Sequence, residues 1–128
     1  MKRFVIQQHT TTSDVHWDFM LEQEKHLLTW RLPLPPEKLL HQSSPAIKIF
    51  NHNLKFLTYQ GPVNKGTGRV QIADEGTYSL LNIQPELIRI HLQGKHIKGI
   101  FTIRMIHNNQ WSLATDNLTC PAPDLPSQ

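Results

Sequence analysis

The stretch from residue 15 to residue 32 constrains the fold more than any other part of the chain. Trp17, Phe19 and Leu21 alternate with His16, Asp18 and Glu22, the period of a strand with one face buried and the other open. With Glu24-Lys25 as a two-residue tip, Trp17 faces Leu32, Phe19 faces Trp30 and Leu21 faces Leu28. Three consecutive apolar cross-strand pairs fix that register, because a slip of one residue would turn them all toward water. On the other face the same register sets Asp18 opposite Arg31 and Met20 opposite Thr29.

The remainder reads the same way. Strands are predicted at 3–9, 16–22, 27–32, 46–50, 54–60, 68–74, 77–83, 86–92, 97–105 and 110–115. Hairpin tips are expected at Glu24-Lys25, Asp74-Glu75-Gly76, Gln93-Gly94 and Asn108-Asn109. One short helix is expected from Pro36 to about Gln42, opened by Pro35-Pro36. Many short strands at this spacing predict a mainly all-β fold, a compact antiparallel barrel. Residues 1–118 are expected to form it, and 119–128 a loose Pro-rich tail.

Composition narrows the setting. The single cysteine, Cys120, excludes an internal disulfide and fits a reducing compartment. No apolar run is long enough for a signal peptide or a membrane span, so the expected location is the cytoplasm. A net charge of +3 fits a polyanionic partner without requiring one.

His16 and Asp18 share the open face of their strand, and Gln7 and His9 share one side of the strand at 3–9. Two imidazoles and a carboxylate converging there would bind a divalent metal and leave positions for substrate or water. That pattern points to metal-assisted chemistry. His91 and His96 would face each other across Gln93-Gly94, but with no third ligand nearby they read as a solvated pair. His26, His41 and His107 read as surface residues. Gly61, Gly66 and Gly68 suit either turns or close approach of a phosphate. Lys65, Arg69, Lys95, Lys98 and Arg104 suit either a DNA track or a dispersed surface.

The strings Phe4-Val5-Ile6-Gln7-Gln8-His9, His16-Trp17-Asp18-Phe19-Met20-Leu21-Glu22 and Leu28-Thr29-Trp30-Arg31-Leu32-Pro33 resemble the 3′-phosphoesterase domain of bacterial DNA ligase D. Asn51-His52-Asn53-Leu54-Lys55-Phe56 and the segment from Gln60-Gly61-Pro62 to Gly66-Thr67-Gly68 continue the likeness in order. Gly99-Ile100-Phe101-Thr102-Ile103-Arg104 and Trp111-Ser112-Leu113 complete it, so roughly residues 3 to 115 are covered. The resemblance implies a compact β-barrel in which His9, His16 and Asp18 bind a divalent ion, usually manganese. Two imidazoles and one carboxylate also suit zinc. It implies that His52 contacts the phosphate and that Gln7 supports the site. The implied activity removes 3′-phosphates or 3′-terminal ribonucleotides and leaves a 3′-hydroxyl. The implied partners are DNA or RNA-tipped DNA 3′ ends, with ligase and polymerase repair proteins met in trans.

Two departures stand out. Met20 occupies the place of the family's phosphate-binding arginine, and Phe56 that of a tyrosine. Arg31, opposite Asp18, is read as a substitute guanidinium for the phosphate. Two alternatives follow. One is a module that binds DNA ends or a repair partner, its catalysis weakened with those two side chains. The other is a metal-free phosphoesterase with paired His-x-Thr/Ser motifs at His9-Thr10-Thr11 and His41-Gln42-Ser43, which chelator resistance would reveal.

Overall fold

A computed structural model describes residues 1–116. The expected domain boundary at 118, the tail and Cys120 lie outside the described residues. The described residues form nine strands: β1 (Lys2–Thr11), β2 (Val15–Glu22), β3 (Leu27–Leu32), β4 (Ser44–His52), β5 (Gly61–Val63), β6 (Gly68–Gln84), β7 (Leu87–Gly94), β8 (Lys98–His107) and β9 (Gln110–Thr115). Eight of them close a barrel in the order β1-β2-β3-β4-β9-β8-β7-β6, with β6 returning to β1 and β5 added beside the start of β6. Every pairing is antiparallel. Closure pairs strands that would otherwise be open edges.

The β2–β3 hairpin has the register expected from its apolar pairs: Trp17 opposite Leu32, Phe19 opposite Trp30, Leu21 opposite Leu28. Strand alternation then sorts side chains into two layers. Phe4, Ile6, Phe19, Leu21, Trp30 and Leu32 point into the barrel and pack with Ile90, Phe101 and Leu113. Val5, Met20 and Leu27 point outward, where they would meet water if nothing covered them. Leu57, aided by Leu54, Phe56 and Ile72, packs on them as a second apolar cluster. Each such buried aliphatic side chain contributes roughly 1.5–3 kcal/mol. The 53–67 segment is thereby held across the outside of β1–β3, and this cover creates the site.

Several local expectations are corrected. Residues 54–60 are not a strand: Leu54–Leu57 form a 3-10 turn, because the Asn53 side chain accepts the Lys55 N–H and caps it. The helix after Pro35 is likewise a five-residue 3-10 turn, Pro36–Leu40, and a third such turn spans Asn64–Gly66. Asp74-Glu75-Gly76 is no hairpin tip, since β6 runs unbroken through it for 17 residues. At Gly76 the backbone of β7 comes so close that a Cβ would lie 1.9 Å from the Gln93 carbonyl oxygen. Only glycine fits there. The β7–β8 tip lies at residues 95–97, with Gly94 N–H donating to Ile97 O at 2.9 Å. His91 therefore faces Ile100, not His96. Among the described residues, no helix is long and apolar enough to cross a membrane.

Candidate active site

Strand pairing assembles the polar cluster on the outer face. His9 lies opposite His16, Gln7 opposite Asp18, and Asp18 opposite Arg31. His16 Nε2 stands 3.6 Å from Asp18 Oδ1, and His9 Nδ1 stands 3.8 Å from Asp18 Oδ2. The two rings meet edge to face at 4.7 Å between centroids. These separations are too long for hydrogen bonds. Indeed, His16 Nε2 and Asp18 Oδ1 are buried with no hydrogen-bond partner among the described residues. Leaving such groups dry costs about 1–3 kcal/mol each, more for a charge. One ligand atom from each of His9, His16 and Asp18 falls within 4.8 Å of the others. Orphaned donors of this chemistry fit a divalent cation.

Neighbours orient these side chains. His16 Nδ1–H donates to Asp14 Oδ2 at 2.8 Å, which leaves the Nε2 lone pair facing Asp18. That bond holds the Asp14 carboxyl below its ordinary value. Asp14 is legible in principle, since it precedes His16 by two residues, but it sits where the strand gives way to a turn. Gly68 serves His9: a Cβ there would come within 2.9 Å of His9 Nε2, so the glycine leaves room for the imidazole. Its role is close packing within a strand, not a turn. Burial, with the nearby His16, lowers the His9 pKa against the opposing pull of Asp18.

A cleft of about 230 Å³ opens beside the cluster, with Gln7, His9, Asp18 and Arg31 on the sheet side and Phe50, His52, Phe56 and Asn64 among those facing them. A bulge delivers His52 to it. Ala46 points into the barrel, and simple alternation along β4 would send His52 the same way. The β3–β4 register shifts by one residue beyond Ile49, so His52 pairs with Leu27 and turns outward. His52 Nδ1–H donates to the Phe50 carbonyl at 3.1 Å, freeing Nε2. Burial pushes the His52 pKa down, with Asp18 opposing. The imidazole is thus held neutral at physiological pH.

Gln7 is buried, and its Nε2 donates to the carbonyls of Phe56 and Tyr59, both at 2.9 Å. It ties the cover to the sheet. Arg31 reaches Asp18 with Nε at 3.6 Å from Oδ1 and lines the cleft while its side chain stays partly exposed. Met20 is fully buried in the outer apolar cluster and does not line the cleft. His41 caps the Pro36–Leu40 turn and is not part of the cleft wall, so the two His-x-Thr/Ser motifs do not converge there. Lys95 pairs with Glu75 at 3.1 Å. Sequence reasoning misses Phe50, because nothing local marks an exposed phenylalanine as part of a cleft.

The DNA Ligase D 3′-phosphoesterase domain matches residues 7–105 of the chain. A multifunctional non-homologous end joining protein LigD from Mycobacterium bovis is 29% identical over 117 residues, covering 84% of this chain and 15% of the relative. The multifunctional non-homologous end joining DNA repair protein LigD from Mycobacterium tuberculosis matches at the same identity and coverage. The chain thus spans about 15% of the length of these curated relatives.

Proposed function

This chain belongs to the DNA Ligase D 3′-phosphoesterase domain family, and from that premise we propose that it is a metal-dependent phosphoesterase acting on DNA 3′ ends. Its substrates would carry a 3′-phosphate or a 3′-terminal ribonucleotide, and its product a 3′-hydroxyl. The observation that carries this reading is the buried pair His16 Nε2 and Asp18 Oδ1, neither with a hydrogen-bond partner among the described residues, next to His9, with Asp18 and His9 lining the cleft. His9, His16 and Asp18 would hold a divalent cation, manganese by family expectation. Such an ion stabilises phosphoryl charge and lowers the pKa of water.

The chain's own residues supply the rest. Arg31, partly exposed where it lines the cleft, offers a guanidinium to the phosphate oxygens. Hydrolysis forms a bond from a water oxygen to phosphorus and breaks the bond to the leaving 3′-oxygen, so the water proton needs an acceptor and the departing oxygen takes a proton from solvent to become the hydroxyl. His52 is placed to accept it, being neutral, with Nδ1 engaged and Nε2 available. Gln7 keeps the cover in place over the cleft. Ligase and polymerase repair proteins are the expected companions.

A second reading draws on Met20 and Phe56. With Met20 buried, no charged group reaches the phosphate from that position, and Phe56 brings no hydroxyl. The chain would then bind 3′ ends without converting them. Labelled strands ending in 3′-phosphate or 3′-ribonucleotide, incubated with manganese or with EDTA, decide between the two. Conversion to 3′-hydroxyl only with manganese is expected. Binding without conversion selects the second reading, and full activity in chelator overturns the metal site.

A further inference from the structure

Phe50 is 74% exposed, an unusual placement for a phenylalanine, and it lines the same cleft as His9, Asp18 and Arg31. Its ring lies flat against that of His52, with centroids 4.9 Å apart and planes 4° from parallel. Phe56 packs edge-on against the His52 ring at 5.8 Å. His52 is therefore packed from two sides, and Phe50, stacked on it by one face, turns its other face to solvent. The bulge in β4 turns His52 outward, and Phe50, two residues earlier, lines the same wall.

We propose that the open face of Phe50 stacks the base of the nucleotide whose terminal phosphate enters the cleft. The inference rests on the phosphoesterase reading and adds a subsite to it. Size supports it: about 230 Å³ is below the roughly 300–1,000 Å³ of pockets that enclose whole small ligands. A phosphate and part of a sugar fill such a space, and the base must remain at the rim. Charge supports it too. Arg31 lies at the cleft and Lys55 Nζ stands 5.3 Å from the Phe56 ring centroid, so cations flank the path of the strand. Any base presents a π-face, so recognition by Phe50 is tolerant of sequence but requires a base to be present.

The test uses the full chain and a single-stranded oligonucleotide with 2-aminopurine in its 3′-terminal, 3′-phosphorylated nucleotide, in EDTA so that binding is read without turnover. Wild type should quench the fluorescence. Phe50→Ala should abolish quenching and weaken binding on the order of tenfold, and Phe50→Trp should restore both. With an abasic terminal nucleotide, wild type and Phe50→Ala should bind alike. Equal quenching by Phe50→Ala, absence of quenching by wild type, or an equal loss on the abasic strand overturns the subsite. Failure of the enzyme reading shows separately, as wild type that forms no 3′-hydroxyl with manganese.

Discussion

Two buried carboxylates divide the work of this barrel. Asp18 and Asp74 are 3% and 2% exposed, so both have left water behind almost completely. Asp74 recovers what it lost: its oxygens accept the backbone N–H groups of Glu75, Lys95, His96 and Ile97 at 2.8, 2.8, 3.1 and 2.9 Å. That carboxylate fastens the β7–β8 tip to the middle of β6. Asp18 recovers little, because its Oδ1 has no hydrogen-bond partner among the described residues and its neighbours are two imidazoles and a guanidinium at 3.6–3.8 Å. Equal burial with opposite satisfaction separates a group that holds the fold from one kept available for something outside the chain.

Substitution can break that contrast. Asp18→Asn should lower phosphoesterase turnover by roughly 10³-fold or more, while the urea midpoint of the metal-free protein stays level or rises. A large loss of stability would instead make Asp18 a structural residue. Asp74→Ala should do the reverse, costing about 4 kcal/mol as four charge-assisted bonds are lost with their donors left dry. Urea unfolding measures that cost, and a change below about 1 kcal/mol would end the division of roles. The contrast sharpens at Arg31, the cation that touches Asp18 and also reaches the cleft. Arg31→Ala should reduce turnover about 10²-fold, and an effect under about twofold would show that the phosphate is held elsewhere.

The smallest effect concerns pH. His9 and His52 are both held below the ordinary histidine value, chiefly by burial. Between those lowered values and about 6.5, the unfolded chain binds more protons than the folded one. Stability of the metal-free protein therefore falls as pH drops through that window. Urea midpoints in EDTA at pH 7.5 and 5.5 should show the decline, and it should flatten in a His9→Gln, His52→Gln double variant. A midpoint that is unchanged or higher at pH 5.5 would contradict the burial of these rings.

Much of the site is written in the period of the first strands. Alternation alone puts His16 with Asp18 and Gln7 with His9, and the hairpin register puts Arg31 against Asp18. Glu24-Lys25 and Asn108-Asn109 are legible as tips because tight hairpins join neighbours in sequence. Elsewhere the local signals mislead. Asp74-Glu75-Gly76 has the composition of a turn, yet the aspartate is consumed by N–H groups more than twenty residues away and the glycine by a close strand crossing. Leu54, Phe56 and their neighbours have the apolar content of a strand, yet they fold down to cover Met20 and Val5.

The sequence by itself determined which side chains share a face, because period and register depend only on residues that are adjacent or joined by a short tip. Tertiary structure alone decided what lies over that face. The one-residue bulge that turns His52 outward beside Phe50, the Gln7 tether to the 53–67 cover, and the space left by Gly68 for His9 all join segments distant in the chain. Such contacts form only where packing of the outer apolar cluster brings the segments together, and no local pattern encodes that meeting.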